Sequence, residues 1–272
     1  MIERISSRAN PLMKRVRLLV SEGRARREEG ALVAEGIRIV ENAIAAGARI
    51  DFVVASPRLA VTARGRELAE EARRRNLRLV ETTDAVLDSI SDAQTSQGVL
   101  AVVTFPPPPS LGESVGADPF WVVGWGLQDP GNVGTLVRTA DAAGAGLFLT
   151  VAGTSDPTAP KAVRASAGSI FRLPWLHGLP PDEILDAAAA RGVRLFGTHP
   201  SHGVPYDEPD YAGGIGFVFG RESEGLPRAV EERLQGVVSI PMRSGVESLN
   251  VGAAAAVVLF EAARRRARRR QT

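Results

Sequence analysis

Three glycine-bearing segments of this chain carry polar side chains directly after runs of apolar residues. In FGRESEGLP (219–227), Gly220 and Gly225 allow the backbone to bend and approach a ligand closely. Glu222 and Glu224 would stand at the carboxyl edge of a sheet, where α/β proteins bind ligands, or simply at the positive end of a helix entered at Pro227. In LQDPGNVGTLVRTADAAG (127–144), Asn132 is placed to cap a helix whose apolar face is Val133, Leu136, Val137 and Ala140. Arg138 falls off that face, free to hold a phosphate or to pair with Asp141 one turn on. In SIPMRSGVESLNVGAAAAVVLFEAARRRARRR (239–270), Ser248 and Asn250 mark the mouth of an alanine-rich helix ending in six arginines. Those arginines either complement the helix dipole or form a flexible phosphate-binding arm. His199 and His202 have a spacing a metal could use, but no third ligand accompanies them, so no metal is expected; His177 reads as structural or exposed. Gly124 and Gly126 do not continue into G-x-G-x-x-G, which disfavours a conventional dinucleotide site.

The elements that must position these groups follow from the apolar pattern. Trp121–Trp125, Leu147–Val151, Val193–Gly197, Ile215–Phe219 and Val237–Ile240 read as buried strands. Helical segments lie between them at 133–143, 161–169, 182–191 and 228–234, with a last helix from about Leu249. Continuous apolar strands alternating with helices predict a mainly parallel sheet covered on both faces. Phe105 followed by four prolines, and the glycines to 118, form a linker. Before it, strands at 31–34, 52–55, 77–80 and 98–104 alternate with helices beginning at Asn10-Pro11, around Ile37–Ile44 and over 64–76, a small α/β domain. The expected division is thus 1–104, linker 105–118 and 119–272.

The 272 residues are 44% apolar and 24% charged, which fits a globular chain with a substantial core. The absence of cysteine excludes disulfides, thiolate metal sites and a cysteine nucleophile. Val251–Phe260, the longest mostly apolar run, is about half of the ~20 residues a bilayer span needs, and the first twenty residues lack a signal-peptide core. A cytoplasmic protein without membrane contact is expected. The formal charge is only +2, yet residues 1–30 hold eight basic against four acidic groups and residues 261–272 six arginines against Glu261. Basic ends on an acidic middle suit an anionic polymer, or a solvated face.

In order, context and spacing, the three polar segments resemble motifs one, two and three of the SpoU (TrmH) family of RNA 2′-O-methyltransferases, closely over residues 119–266. SSRANPLMKRVRLL, ALVAEGIRIVENAIAAG and SDAQTSQGVLAVV resemble that family's RNA substrate-binding domain, whose fold is similar to a ribosomal protein. The resemblance implies a SPOUT fold, with a deep trefoil knot in a C-terminal parallel-sheet domain behind a small α/β domain. It implies S-adenosylmethionine as cofactor and a homodimer formed through the knotted domain. Asn132, Arg138, Glu222, Ser248 and Asn250 match the family's catalytic positions. Thr198, Gly220, Ile240, Met242 and Leu249 match its cofactor positions. Arg8, Lys14, Arg15, Arg38 and Arg138 are the expected RNA contacts. Gly252 stands where motif three often has serine. The implied reaction is methylation of a ribose 2′-hydroxyl, in rRNA rather than tRNA because of the accessory domain. A noncatalytic RNA-binding protein and a base-methylating SPOUT enzyme are the competing readings.

Overall fold

A computed structural model describes residues 3–105, 111, 119–221, 225–244 and 247–269. The chain divides into two compact units, Met1–Pro107 with Thr158–Phe171, and Pro108–Pro157 with Arg172–Thr272.

In the first unit, β1 (Glu3–Ile5), β2 (Ala31–Glu35), β3 (Arg49–Ala55), β4 (Leu79–Thr82) and β5 (Val99–Thr104) form one sheet in the order β1-β4-β3-β5-β2. β5 runs antiparallel to β2 and β3, and the other pairings are parallel. Five helices connect them: α1 (Pro11–Ser21), α2 (Gly23–Glu29), α3 (Ile37–Ala45), α4 (Ala63–Arg74) and α5 (Asp84–Asp88). α1 starts as Asn10-Pro11 dictates: the Leu12 N–H donates to Asn10 Oδ1 at 2.8 Å, and Pro11 occupies the first turn. Met13, Val16 and Leu19 bury its apolar face, leaving Lys14 exposed.

The second unit holds β6 (Phe120–Gly124), β7 (Leu147–Val151), β8 (Trp175–Leu179), β9 (Arg194–Thr198), β10 (Val204–Pro205), β11 (Ile215–Phe219) and β12 (Gly236–Ser239). Its helices are α6 (Pro130–Ala142), α8 (Pro181–Ala190), α9 (Arg228–Glu231) and α10 (Val251–Arg269), whereas α7 (Pro160–Ala165) belongs to the first unit. All pairings are parallel, in the order β10-β12-β9-β11-β6-β7-β8. β6, β7 and β11 are buried along their whole length, as their uninterrupted apolar sequences require of a sheet covered on both faces. The chain runs outward from β6 through β7 to β8, then restarts on the other side of β6 with β9 and fills the gap with β11. This reversal puts the carboxyl ends of β6 and β11 side by side, Gly124 opposite Phe219.

Four particulars differ from the expectations. The segment 158–171 is part of the first unit rather than of a continuous second domain. Buried Arg26 donates its Nε–H to Thr158 Oγ1 at 3.1 Å, and Asn42 Nδ2 donates to the Ala167 carbonyl at 2.8 Å. α6 is capped by Asp129, whose Oδ1 accepts the Gly131 N–H at 2.5 Å; Pro130 takes the first helical position, so Asn132 lies inside the helix. The arginine-rich end is helical to Arg269 rather than a flexible arm. Arg264 and Arg265 each reach Glu261 at 2.6 Å and hold its carboxyl down at about 2. Buried Arg266 donates to the Gly213 carbonyl at 2.5 Å over the Phe120 ring, and Arg269 pairs with Asp210 at 2.8 Å. Finally, β1, β8 and β10 are strands that the apolar pattern did not mark. Within residues 105–118, Phe105 and Leu111 alone are described, and Leu111 is buried in the second unit's core.

Candidate functional site

The register of the second sheet brings Thr198 level with Phe219 and Val238, so the loops after β9, β11 and β12 leave from one edge. Between those loops and the start of α10 is a cleft of about 620 Å³ counted to its open mouth, within the usual range for small-molecule sites. Thr198, Gly220, Ile240, Met242 and Leu249, the five expected cofactor positions, all line it, and Ser248 joins them. Phe219, Val238, Val251, Ala254 and Val258 make the remaining surface mostly apolar. Thr198 Oγ1 donates to the Val218 carbonyl at 3.1 Å, which ties the β9 end to β11. Gly220 cannot be any other residue without backbone movement: a Cβ there would lie 2.6 Å from both the carbonyl carbon and oxygen of Gly225. Apolar walls, strand-end backbone groups and a few hydroxyls suit a ligand that joins a flat heterocycle to a sugar and an amino acid, as S-adenosylmethionine does.

The first and third polar segments meet beside this cleft. Asn250 Nδ2 donates to Asn132 Oδ1 at 3.1 Å, while Asn250 Oδ1 accepts the Gly252 N–H at 2.9 Å as a cap on α10. The contact requires α6 and α10 to approach closely, and Gly252 permits it. A Cβ at 252 would sit 2.5 Å from Thr135 Cγ2, so the threonine methyl fills the space a serine side chain would need.

Arg138 lies six residues beyond Asn132 on α6, about 9 Å along the helix axis. It is exposed and has no hydrogen bond or ion pair among the described residues. Asp141 does not neutralise it, because Arg172 holds that carboxylate at 2.5 Å. Ser248 is exposed at the cleft. Glu222 lies outside the described residues.

The expected RNA contacts separate into two kinds. Lys14 and Arg38 are exposed and have no ion pair among the described residues, and exposed Arg8 only donates to the Ala85 carbonyl at 3.2 Å. Arg15 is engaged internally, with Glu29 at 2.7 Å, Asp51 at 2.6 Å and the Phe52 ring beneath its guanidinium. These pairs raise its pKa against the desolvation that opposes them, and they leave its charge already balanced. Arg15 thus has a structural role, as a clasp on Glu29 and Asp51, that exposed Lys14 and Arg38 lack. Arg38 opens onto a second cleft, wholly within the first unit and of about 930 Å³, which also receives Arg64, Arg164, Thr95 and Gln97. Gln97 Oε1 accepts the Ile37 N–H at 2.8 Å, capping α3 where Gly36 has no side chain to do so. Glu35, 4% exposed, faces Arg164 at 3.5 Å.

His177 Nδ1 is 2.7 Å from Thr150 Oγ1 in a half-buried structural contact. Among the described residues, no group of three or more His, Asp or Glu side chains is arranged to hold a metal ion. The polar pattern did not single out His199 as a cleft residue, although it directly follows Thr198 at the end of β9. Its position one residue beyond a strand was the available signal.

A cleft beyond the carboxyl ends of a parallel α/β sheet, beside a helix presenting an exposed cation, defines an enzyme that binds a small organic cofactor and an anionic substrate. Residues 119–260 match the SpoU rRNA Methylase family, and the chain belongs to that family. Residues 10–101 match the MRM3-like substrate binding domain. The chain is 35% identical to an uncharacterised tRNA/rRNA methyltransferase of Synechocystis sp., covering 97% of this chain and 94% of that protein. It is 28% identical to a 23S rRNA (uridine(2479)-2′-O)-methyltransferase of Streptomyces viridochromogenes over 97% of this chain and 92% of that one. The crystal structure of an AdoMet-bound rRNA methyltransferase from Sinorhizobium meliloti superimposes with a TM-score of 0.81 at 30% identity, covering 97% and 98% of the two chains.

Proposed function

We propose that this protein methylates a ribose 2′-hydroxyl of ribosomal RNA, with S-adenosylmethionine as donor. The observation that carries the reading is the joining of the cofactor-shaped cleft, through the Asn132–Asn250 hydrogen bond, to the helix bearing exposed Arg138. S-adenosylmethionine supplies a methyl group activated by a sulfonium. Thr198, Gly220, Ile240, Met242 and Leu249 hold it, largely through backbone groups and apolar contact. Asn132 and Asn250 fix α6 against α10, Ser248 orients the ribose, and Glu222 steadies the guanidinium. Arg138 binds the phosphate next to the target ribose and stabilises the developing alkoxide, whose proton passes to solvent water; an arginine stays protonated at neutral pH, so its charge rather than its basicity is what it offers. Exact alignment of hydroxyl and methyl supplies much of the acceleration.

The family resemblance also implies a homodimer, and α10 carries a surface suited to one. Ala253, Val257, Phe260 and Ala267 lie exposed at alternating spacings along one face, with Phe260 50% exposed and Val257 36%. The trefoil knot that the family resemblance implies belongs to the same reading. Among the described residues no helix is long and apolar enough to cross a membrane. The substrate places the reaction in the cytoplasm, where ribosomes assemble.

The test is methyl transfer from labelled S-adenosylmethionine to 23S rRNA, with mass mapping of nuclease-resistant dinucleotides. A 2′-O-methyl blocks cleavage at its own ribose and leaves a labelled dinucleotide. Label recovered on a base would make the protein a base methyltransferase, and RNA retention without label would make it a binding protein.

A further inference from the structure

His199 and His202 form a device that the reaction as derived above does not use. His199 lines the cofactor cleft, and its Nδ1 is turned away from it: that nitrogen accepts the Ser201 N–H at 3.2 Å. An Nδ1 that accepts a backbone N–H is unprotonated, which places the proton of the neutral ring on Nε2. The other edge of the ring lies against Gly225, a residue of the same cleft. A Cβ on Gly225 would come within 2.9 Å of His199 Cδ2 and 3.2 Å of Nε2, and Gly225 adopts a φ of +64° that few side-chain-bearing residues accept. Nε2 has no partner among the described residues.

The ring is clamped from outside the cleft. The imidazole of His202 stacks on that of His199 with centroids 3.7 Å apart and planes at 37°. His202 Nε2 lies 3.2 Å from Glu231 Oε2 on α9. The second oxygen, Glu231 Oε1, is buried and has no hydrogen-bond partner among the described residues. Two imidazoles this close resist carrying two charges at once. Desolvation, followed by the neighbouring His202, pushes the His199 pKa below the ordinary histidine value, against a smaller pull from Glu231. The remaining cleft groups facing it are Arg221 at the end of β11 and apolar side chains from β12 and α10.

We propose that His199 is a further cofactor-binding residue, a neutral imidazole presenting an Nε2–H donor to S-adenosylmethionine, with His202 and Glu231 as the positioning residues that orient it. A neutral donor can serve a ribose hydroxyl or a ring nitrogen without repelling the cationic sulfonium. Protonated, the same ring would discriminate against the sulfonium and in favour of the uncharged thioether product, S-adenosylhomocysteine. The inference rests on the cofactor reading above and goes beyond it by tying donor-over-product preference to the charge of one side chain.

The experiment measures dissociation constants for both compounds by calorimetry between pH 5.5 and 8, together with long-range ¹H–¹⁵N NMR of the cofactor-free protein. His199 is expected as the Nε2–H tautomer, titrating below the ordinary histidine value. In wild type, S-adenosylmethionine affinity falls relative to S-adenosylhomocysteine as the pH drops below about 6.5. His199→Leu is expected to weaken binding of both about three- to ten-fold at pH 7.5, the worth of one hydrogen bond. His199→Gln, which keeps an N–H at the Nε2 position, stays within about two-fold of wild type and abolishes the pH-dependent preference. His202→Asn shifts the onset of that preference to higher pH. Wild-type affinity in His199→Leu, or an Nδ1–H tautomer, overturns the proposal while leaving the cofactor reading intact. Failure of the wild-type protein to bind S-adenosylmethionine at all overturns both.

Discussion

The two clefts of this protein both offer apolar surface and differ in the charge they carry. The one in the second unit is lined mainly by apolar side chains and by glycine backbone at strand ends, with a few hydroxyls and His199. The one in the first unit sets three arginines, a buried glutamate and threonine hydroxyls beside Ile37, Ile39 and Ala93. A shaped cleft without clustered charge selects one small molecule by fit; one that gathers cations accepts a repetitive anion whatever its sequence. The comparison also shows that the number of arginines near a site says little. Arg64 is spent on Glu41 at 2.5 Å and Arg164 on Asp92 at 2.6 Å, whereas exposed Arg38 has no pair among the described residues. On the second unit the same contrast separates Arg138 from Arg265 and Arg266, which are tied to Glu261 and Gly213.

The largest effect that would sharpen this contrast belongs to Arg138→Ala. Its single-turnover methyl-transfer rate is expected to fall about 10²- to 10³-fold, the usual cost of losing a donor aimed at developing charge. Calorimetric S-adenosylmethionine affinity should remain at the wild-type value; a matching loss of affinity would place Arg138 in the cofactor cleft instead. A pH–rate profile of Arg138→Lys is expected to keep its ionisation limb, as a charge-stabilising role requires.

Gly220→Ala comes next, because its Cβ meets the Gly225 backbone, which cannot rotate away. Cofactor affinity is expected to drop about ten-fold or more as the loop shifts, with RNA binding unaffected. Filter binding and calorimetry on the same preparation separate the two. Parallel losses in both would break the distinction between the clefts.

Arg38→Ala is expected to weaken RNA binding a few-fold and to lower the slope of log K against log salt by about 1, with unchanged melting temperature. Arg15→Ala should do the reverse, lowering thermal stability while leaving the salt slope as it was, since its charge is already balanced by Glu29 and Asp51. Equal salt slopes in wild type and Arg38→Ala would remove the first-unit cleft from the RNA path.

The smallest effect is Gly252→Ser, expected to destabilise the fold by about 1–2 kcal/mol through its clash with Thr135. Thr135→Ala in the same chain should recover most of that loss in chemical denaturation. Additive losses would show that the two residues do not share the space.

Much of this was legible in the residues because burial on both faces forces strands to be continuously apolar. Leu147–Val151 and Ile215–Phe219 were readable to the residue for that reason. The expected cofactor positions came from the family resemblance, and all five line one cleft. β8 was not, since it is a half-exposed edge strand with Gly178 inside it and proline at both ends, all features of a turn. The α6 cap was misplaced by three residues because Asn132 outweighed the Asp129-Pro130 pair, although proline at the first helical position was the better signal. The fate of the arginines at the C-terminal end was illegible in principle. Periodicity shows which face of α10 they occupy, not that the carbonyls of 207–213 come to meet them.

The segment 158–171 returns to the first unit in the middle of the second unit's sequence, so the chain passes between the two three times. A fragment severed at the proline run would keep every strand of its sheet yet lose Thr158, the Ala167 carbonyl and Arg164, which meet Arg26, Asn42 and Glu35 respectively. The polypeptide cannot be parted there as beads on a string can. Insertion or shuffling of either half during evolution must carry this returning strip along, and the natural places to cut lie on both sides of it.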